Sequence, residues 1–321
     1  MQNPEAAVSE RYSQGAQARE SALCCPVSFN PKYLEALPEE IIERDYGCGD
    51  PTPFVQAGDV VLDLGSGAGK VCWIAAQVAG PEGQVIGVDM NTEMLSLAQK
   101  HHATIAGRVG FDNVTYRRGM IQDLALDLDL LEAHLRENPV SGAESWLKLR
   151  QLEEQLRKDH PLIEDNSVDV ILSNCVLNLV RPADKNQLFE EIFRVVKPGG
   201  RVAISDIVAD EDVPVAMQED PDLWSGCISG AYREDLFLEA FSKVGFHGVE
   251  IAKRDEQPWQ TVNGYEFRSM TVLAYKDLAD TDLDRNQALV YNGPFEEVQD
   301  DLGRKFQRGE RTPVGERAFQ R

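Results

Sequence analysis

A glycine-rich turn and a carboxylate further along the chain are the features of this sequence that most directly indicate chemistry. The turn D-L-G-S-G-A-G runs from Asp63 to Gly69, and Asp89 follows Gly65 by 24 positions. Glycines allow a sharp turn and a close approach of the backbone to a ligand. A carboxylate at the end of the next strand can accept both hydroxyls of a ribose. The pattern predicts a nucleoside site that comprises Gly65, Ser66, Gly67, Gly69 and Asp89.

The spacing of the glycines discriminates between nucleoside ligands. A dinucleotide site requires G-x-G-x-x-G, whereas the glycines here run G-x-G-x-G, and the carboxylate of Asp63 would oppose a pyrophosphate. The same carboxylate suits a ligand that carries an amino group, as the methionine part of S-adenosylmethionine does. An NAD-dependent dehydrogenase is disfavoured further because the sequence shows no catalytic His or Tyr-Lys arrangement. We therefore interpret the turn as an S-adenosylmethionine site.

The elements that must position this site alternate along the chain. Short apolar runs predict buried parallel strands, and the amphipathic segments between them predict helices. This alternation predicts an α/β fold, a Rossmann-like doubly wound sheet that is mostly parallel, with ligands at the carboxyl ends of its strands. The predicted strands cover 60–65, 84–90, 114–120, the start of 167–180, and 201–208.

Three regions are predicted from shifts in composition and period. Residues 1–50 form an N-terminal arm, polar and mobile to about residue 30, followed by a helix over 31–44 and a loop that contains Cys48. Residues 51–250 form the catalytic domain, with two inserted helices over 124–160 on either side of an Asn138-Pro139 break. Residues 251–321 form a C-terminal α+β cap.

Composition excludes several classes of partner. The 54 acidic and 32 basic side chains give a formal charge of -22, which would repel a nucleic-acid backbone. No stretch approaches the roughly 20 apolar residues that cross a bilayer, and the N-terminus lacks a signal-peptide pattern. We expect a soluble, cytoplasmic monomer with no membrane partner. The six cysteines are spread out, so neither a disulfide framework nor a zinc module is predicted, and the five histidines indicate no catalytic metal.

Several segments carry a resemblance to known families. The glycine loop, the stretch NSVDVILSN and the Pro-Gly-Gly stop before RVAISD resemble the class I methyltransferases. A narrower set resembles the arsenite methyltransferase family from about residue 24 to the end, and its most specific elements are DYGCGD and SNCVLNL. The segments of this set are ERDYGCGDP (43–51), VLDLGSGAGKVCWI (61–74), SNCVLNLV (173–180), SGCISGAYRE (226–234) and GPFEEVQDDLGRKFQRGER (293–311).

The resemblance implies a methyl transfer from S-adenosylmethionine to trivalent arsenic held by Cys48, Cys175 and Cys227. Trivalent arsenic is soft and prefers thiolate ligands, and three converging sulfurs suit its pyramidal geometry. Its lone pair would remain free, so no general base is required, and alignment and exclusion of water would carry catalysis. A thiol reductant such as glutathione or thioredoxin is the implied co-substrate.

Other residues receive roles from the same resemblance. Tyr46 corresponds to a family tyrosine near the cofactor, and Asn174 could present polar groups to the site of methyl transfer. The residues at positions that commonly flank the adenine are Met90, Asn91, Met120 and Ile121. Core packing is the alternative for Met90, Met120 and Ile121.

The remaining thiols and aromatic residues are open to two interpretations. The adjacent Cys24 and Cys25 either relay arsenic or have no role, and Cys72, on the apolar face of a helix, is predicted to be a core residue. Trp224 and Trp259 either border the site or pack in the core.

The chain also departs from the family at two places. The insertion at 124–160 is longer than expected, and Gly315 stands where related chains often have cysteine. Two other functions remain open at this stage: an S-adenosylmethionine enzyme that methylates an organic small molecule, and a protein that sequesters the metalloid without turnover.

Overall fold

The computed structural model describes residues 4–18, 20, 27–278, 286–301 and 303–319. Its helices, in chain order, are α1 (Pro4–Gln17), α2 (Pro31–Leu34), α3 (Glu39–Glu43), α4 (Lys70–Ala79), α5 (Thr92–Val109), α6 (Leu128–Glu137), α7 (Ala143–Asp159), α8 (Lys185–Val195), α9 (Val215–Gln218), α10 (Pro221–Ser225), α11 (Glu234–Lys243) and α12 (Glu316–Phe319). Its strands are β1 (Val60–Leu64), β2 (Gln84–Asp89), β3 (Val114–Arg118), β4 (Val168–Asn174), β5 (Val196–Ala209), β6 (Tyr232–Arg233), β7 (His247–Arg254), β8 (Gln260–Val262), β9 (Tyr265–Tyr275), β10 (Gln287–Val290), β11 (Glu297–Gln299), β12 (Lys305–Gln307) and β13 (Arg311–Val314).

One large sheet organises the molecule. Its strand order is β3-β2-β1-β4-β5-β9-β7, with β6 paired to β5 and β8 paired to β9. The pairs from β3 to β5 are parallel, and β9 runs antiparallel to both β5 and β7. The predicted doubly wound, mostly parallel sheet is confirmed. Its order reverses between β1 and β4, so the crevice for a ligand opens at the carboxyl ends of these two strands.

The central strands are apolar because helices cover both faces of the sheet. In β1, Val61, Leu62 and Leu64 have no exposed surface, and β4 is buried along almost its whole length. Alternate residues of a strand point to opposite faces, so such continuous apolar runs fit only a sheet that is covered on both sides. This packing fixes the strand ends at which the candidate site residues lie.

The N-terminal region differs from the prediction of a mobile arm, because residues 4–17 form α1. Its sequence has a low apolar content and no sustained helical period, so tertiary contacts stabilise this helix. Ala16 is buried in the core, and the Tyr46 hydroxyl donates to the Gly15 carbonyl over 3.1 Å. The single helix predicted over 31–44 is also wrong. Pro38 lacks an N–H and restricts the preceding residue, so α2 and α3 lie on either side of it.

The predicted pair of helices in the insertion is present as α6 and α7. Neither helix contains a buried residue, which agrees with their charged surfaces. Arg157 of α7 forms an ion pair with the nearly buried Asp123 over 2.9 Å, and this pair connects the insertion to the segment after β3.

The central sheet extends beyond the predicted end of the catalytic domain at residue 250. Strands β7 and β9 lie between 247 and 275 and pair within this sheet, because β9 presents a long buried apolar run to β5. The described residues that follow form two small antiparallel sheets, β10-β13 and β11-β12. Among the described residues, no helix combines the length and the apolar character needed to cross a membrane.

Candidate functional site

A cavity lies at the carboxyl edge of the sheet, between the glycine loop and α1. It is lined by residues from the loop, from the ends of β2 and β3, from the segment after β4 and from α1. Nine of the predicted site residues line this cavity: Tyr46, Gly65, Gly67, Asp89, Met90, Asn91, Met120, Ile121 and Cys175.

The glycine loop has the geometry that its sequence predicts. Gly65 and Gly67 both have positive φ, at 70° and 51°. A Cβ on Gly65 would lie 2.5 Å from the side chain of Val176, whereas one on Gly67 would be 3.8 Å from its nearest neighbour, Asp45 Oδ1. The Gly67 N–H donates to Asp89 Oδ2 over 2.8 Å. The loop and the carboxylate at the end of β2 therefore form one unit that faces the cavity.

Asp89 retains the capacity to bind a ribose. Its Oδ1 accepts from the Asn91 N–H over 2.8 Å, and burial raises its pKa while these backbone N–H groups lower it. The Met90 N–H is a third backbone donor. A carboxylate has about four lone-pair sites, so one remains for a ligand hydroxyl. The residues present thus fit the nucleoside part of S-adenosylmethionine. Asn91 itself is engaged elsewhere, since its Oδ1 caps α5 and its Nδ2 donates to α1.

The carboxylate beside the loop that faces the cavity is Asp45, not Asp63 as the sequence suggested. Asp63 is 2% exposed, lies at the end of β1 and accepts a hydrogen bond from the Cys72 thiol over 3.2 Å. Asp45 lines the cavity and forms an ion pair with Lys70 over 2.9 Å. The sequence drew attention to Asp63 because it is adjacent to the loop, whereas Asp45 reaches the cavity from a distant segment.

The buried Asp63 carboxyl predicts a specific pH dependence of stability. Burial raises its pKa to about 8, and the charges of Asp45 and Asp89 add to this effect. The unfolded pKa is about 3.9, so between these values the folded chain holds a proton that the unfolded chain has released. The stability contributed by Asp63 is therefore fully present below pH ~4 and is lost as the pH rises through about 8.

We expect the free energy of unfolding to fall by up to about 1.4 kcal/mol per pH unit between pH ~5 and ~7 because of this group. Asp63→Asn should remove that slope, since an amide also accepts from the Cys72 thiol. Urea unfolding at several pH values measures the slope. Glu82→Gln, which removes an exposed carboxylate, is the control. Equal slopes for Asp63→Asn and the parent chain would contradict a protonated, buried carboxyl.

Three further predicted cofactor residues do not line the cavity. Ser66 is 2% exposed and packs behind the loop against Gly87 of β2, and Gly69 approaches the Tyr116 hydroxyl. Asn174 lies at the end of β4, and its side-chain amide is directed to the loop that contains Cys48. These residues position the site and do not line its cavity.

The three predicted arsenic ligands lie together beside the cavity. Cys48, Cys175 and Cys227 are between 4% and 8% exposed and belong to one buried cluster. The sulfur of Cys175 is central, since the pKa of its thiol is affected by side-chain hydrogen bonds with both other cysteines. The Cys227 thiol donates to the Cys175 carbonyl over 3.2 Å. The hydrogen bond with the Cys175 sulfur, followed by burial, raises the pKa of the Cys227 thiol well above its usual value.

Two of these cysteines have an unusual backbone conformation. Cys175 and Cys227 have φ values of 64° and 62°, in the left-handed region that residues other than glycine rarely adopt. Such a conformation costs on the order of 1–3 kcal/mol and persists only where the surroundings hold it. This backbone strain lowers local stability, so it indicates that the two cysteines are kept for the positions of their sulfurs.

The segment after β4 holds the loops of the other two cysteines through two asparagines. Asn174 Oδ1 accepts from the Cys48 N–H over 2.9 Å, and its Nδ2 donates to the Gly49 carbonyl over 2.8 Å. Asn178 Nδ2 donates to the carbonyls of Ile207 over 2.6 Å and Cys227 over 3.3 Å. Sequence reasoning missed Asn178, although the motif SNCVLN places one asparagine on each side of Cys175 and could have indicated it.

Asn174 also explains the glycine that precedes Cys48. A Cβ at Gly47 would lie 2.3 Å from Asn174 Nδ2. The side chain of Ser269, in β9, donates to the Cys48 carbonyl over 2.6 Å. The Cys48 loop is therefore held from two strands, β4 and β9.

Helix α1 connects the two halves of the site. Tyr12 lines the cavity, and its hydroxyl lies 4.0 Å from Cys227 Sγ. Asn91 Nδ2 donates to the Ser9 carbonyl over 3.1 Å, and Arg11 donates to Ser225 Oγ over 2.9 Å. The helix thus contacts both the cofactor side and the Cys227 side. No periodic signal in the sequence distinguishes Tyr12 from the polar residues around it.

The other candidates from the sequence are placed as follows. Cys24 and Cys25 lie outside the described residues. Cys72 is fully buried in α4, as predicted for a core residue. Trp259 packs against the cluster that contains the three thiols, and Trp224 is 3% exposed, with its Nε1 donating to the Leu179 carbonyl over 3.2 Å.

The sequence matches two described families of domains. Residues 56–159 and 147–264 match a family described as a methyltransferase domain. Residues 279–321 match a domain of unknown function, DUF8838, which begins after the last strand of the central sheet.

Several characterised proteins are similar to this chain. An arsenite methyltransferase of Halobacterium salinarum is 38% identical over 212 residues, which are 65% of this chain and 43% of that protein. One of Aquipseudomonas alcaligenes is 32% identical over 292 residues, 87% of this chain and 74% of that protein. The crystal structure of an arsenic(III) S-adenosylmethionine methyltransferase from Chlamydomonas reinhardtii superposes with a TM-score of 0.63 at 28% identity. The superposition covers 91% of this chain and 90% of the algal one.

Proposed function

We propose that this chain, which belongs to the arsenite methyltransferase family, methylates arsenite with S-adenosylmethionine and that Cys48, Cys175 and Cys227 hold the arsenic during the reaction. The observation that carries the proposal is the convergence of these three buried thiols beside the cavity, from segments far apart in the sequence. Core packing alone does not account for this convergence, because two of the three cysteines occupy a costly backbone conformation.

The cofactor half of the site is assigned to the glycine loop and to Asp89. The open position at Gly67 and the free lone-pair site of Asp89 fit the amino acid and ribose portions of S-adenosylmethionine. Asp45 is the carboxylate placed to face the cofactor's ammonium group, and Met90, Met120 and Ile121 form an apolar border for its adenine. S-adenosylmethionine supplies a methyl group on a positively charged sulfur when it is bound.

The arsenic half follows from the chemistry of thiols. Arsenite carries hydroxyl groups, and each thiol replaces one of them: an As–S bond forms, an As–O bond breaks, and the thiol proton leaves with the hydroxide as water. Thiolate ligands suit this soft element, and the three sulfurs leave its lone pair free as the nucleophile. Cys175 is the ligand that also lines the cavity, so it places the arsenic at the boundary of the two halves.

The remaining residues orient the reactants and exclude water. Asn174 and Asn178 hold the Cys48 and Cys227 loops in fixed positions relative to Cys175. Helix α1 covers the cavity, with the buried Tyr12 hydroxyl next to Cys227. Proximity and alignment alone account for about 7–11 kcal/mol of catalysis in well-oriented reactions, so this site does not need a general base.

Several finer features complete the proposal. Donation of the lone pair to the methyl group raises arsenic from As(III) to As(V), and a thiol reductant such as glutathione or thioredoxin supplies the two electrons that return it to As(III), with oxidation of two thiols to a disulfide. The enzyme acts in the cytoplasm, where thiols stay reduced. Arsenic detoxification is the physiological role, and the protein works as a monomer on a small metalloid substrate without nucleic acid. The Cys24 and Cys25 pair serves as a relay for arsenic, and residues 279–321 form an accessory unit.

A product assay tests the assignment. The chain is incubated with arsenite, glutathione and S-adenosylmethionine, and the arsenic species are separated and counted against the S-adenosylhomocysteine released. We expect methylated arsenic in amounts that match S-adenosylhomocysteine. Release of S-adenosylhomocysteine with an organic acceptor, and none with arsenite, would overturn the proposal. Binding of arsenite without any release would identify a sequestering protein instead.

A further inference from the structure

A buried acidic side chain lies beside the thiols. The sulfurs of Cys48 and Cys175 and a carboxylate oxygen of Asp206 all lie within 4.8 Å of one another. Asp206 is 1% exposed and belongs to β5, adjacent to the strand that ends before Cys175. Trivalent arsenic takes three sulfur ligands, so this carboxylate is an additional donor.

The carboxylate is held in place but is not fully occupied. Its Oδ2 accepts from the Leu177 N–H over 2.9 Å, and its Oδ1 accepts from the Ile207 N–H over 2.8 Å. The Asn178 N–H is a third backbone donor to this carboxylate. A carboxylate has about four lone-pair sites, so one remains for a further bond. Hydrogen bonds of this kind orient the carboxylate ligands of metal sites.

We propose that Cys48, Cys175, Cys227 and Asp206 form a tetrahedral site for a borderline or soft divalent cation, with Zn²⁺ as the representative ion. Zinc binds thiolate sulfur at about 2.3 Å and carboxylate oxygen at about 2.0–2.2 Å, almost always with four ligands. A tetrahedral ion with these bond lengths requires ligand separations of about 3.8 Å or less, so the donors within 4.8 Å of one another must approach by at most roughly 1 Å.

Cys227 lies next to Cys175 in the same buried cluster and completes the proposed donor set. Its thiol contacts the Cys175 carbonyl at 3.2 Å, and its own carbonyl is held by Asn178. As each Zn–S bond forms, the thiol proton is released to the solvent, and no electron is transferred.

A buried cationic side chain also lies beside the site. Lys185 is buried near Asp206, with its ammonium group donating to the Gly230 carbonyl and lying 4.0 Å from the centre of the Tyr232 ring. Three thiolates and one carboxylate carry four negative charges. One divalent cation together with Lys185 offsets three of them.

The site has a consequence that rests on the proposed function: zinc and arsenite compete for the same thiols. Arsenite needs the three sulfurs only, whereas zinc needs Asp206 as well. Asp206 therefore distinguishes the two ligands, and its replacement should weaken zinc binding while arsenite binding persists.

The test uses the full chain after its thiols have been reduced with a phosphine. The chain is titrated with Zn²⁺, and competition with a chromophoric chelator measures its affinity for the ion. We expect one equivalent to bind, and Asp206→Asn to lower the affinity at least tenfold. Cys72→Ser, which removes a buried thiol outside the cluster, should bind zinc like the parent chain. Titration with Cd²⁺ should produce the ultraviolet charge-transfer absorption of cadmium thiolate in the parent chain and not in Cys175→Ser.

Arsenite binding measured on Asp206→Asn shows whether the thiols still converge. Retained arsenite binding together with weakened zinc binding supports the fourth ligand. Zinc binding of equal strength in the parent chain and in Asp206→Asn overturns it, as does a parent chain that binds arsenite but no zinc. In the converse case, a parent chain that binds zinc but forms no methylated arsenic contradicts the proposed function and leaves the zinc site standing.

Discussion

Replacement of Cys175 by serine is expected to lower the rate of arsenite methylation at least about 100-fold, because a displacement of about 1 Å at a reacting centre costs about that factor. Cys175 is the central sulfur of the cluster and the only one of the three thiols that lines the cavity within the described residues. A hydroxyl is a harder ligand and a poorer partner for trivalent arsenic. The loss should affect arsenite binding and turnover together, while the cofactor affinity should change little.

The matched control is Cys72→Ser. Cys72 is as deeply buried as Cys175, but it lies in α4 and donates to Asp63, a contact that a serine hydroxyl can reproduce. Rates of methylated arsenic formation, with thermal denaturation to check folding, compare the two variants. If Cys175→Ser kept activity within threefold of the parent chain, the acceptor would not be arsenic held by this cluster.

Replacement of Asp89 by alanine is expected to raise the KM for S-adenosylmethionine by about 100-fold, because hydrogen bonds to a charged group contribute about 1.5–3 kcal/mol each. Part of the loss arises from the loop, since Gly67 N–H then lacks its acceptor. Asp89→Asn separates the lost contact with the loop from the lost contact with the ribose. Its amide keeps one acceptor oxygen but cannot accept from all the donors that the carboxylate serves.

The measurement is cofactor binding by calorimetry, with arsenite binding recorded on the same variants. Arsenite binding should persist in both, since the thiol cluster receives no contact from Asp89. A cofactor affinity unchanged in Asp89→Ala would contradict the assignment of this residue to the ribose.

The organisation of the thiols explains why SNCVLN is a compact motif. It contains Cys175 and the two asparagines that hold the loops of Cys48 and Cys227. One segment after β4 thus sets the relative positions of all three sulfurs. The strained backbone at Cys175 and Cys227 is stabilised by these hydrogen bonds and by packing, which is how a fold maintains conformations that are locally unfavourable.

Helix α1 covers both halves of the site. It contacts the cofactor side through Asn91 and the Cys227 side through Arg11, and the Tyr46 hydroxyl holds its carboxyl end.

The sequence determined the features that depend on local pattern. Apolar runs that alternate with amphipathic segments predicted the doubly wound sheet, because strands buried on both faces have few other solutions. The glycines at 65 and 67 and the carboxylate at 89 predicted the cofactor loop, since the turn and its partner lie within one βαβ unit. The arsenic ligands came from resemblance, because residues 48, 175 and 227 have no spacing in sequence that indicates a shared site.

Only the tertiary structure decided which side chains meet at long range. It placed Asp45 at the cavity in place of Asp63, brought Asp206 to the thiols, and converted the supposed arm into α1 with Tyr12 beside Cys227. These contacts join segments separated by tens to hundreds of residues, and they are set by how the strands order and pack, which residue types alone do not specify. The central sheet likewise extends to residue 275 because β9 pairs with β5. Local composition does not indicate this pairing.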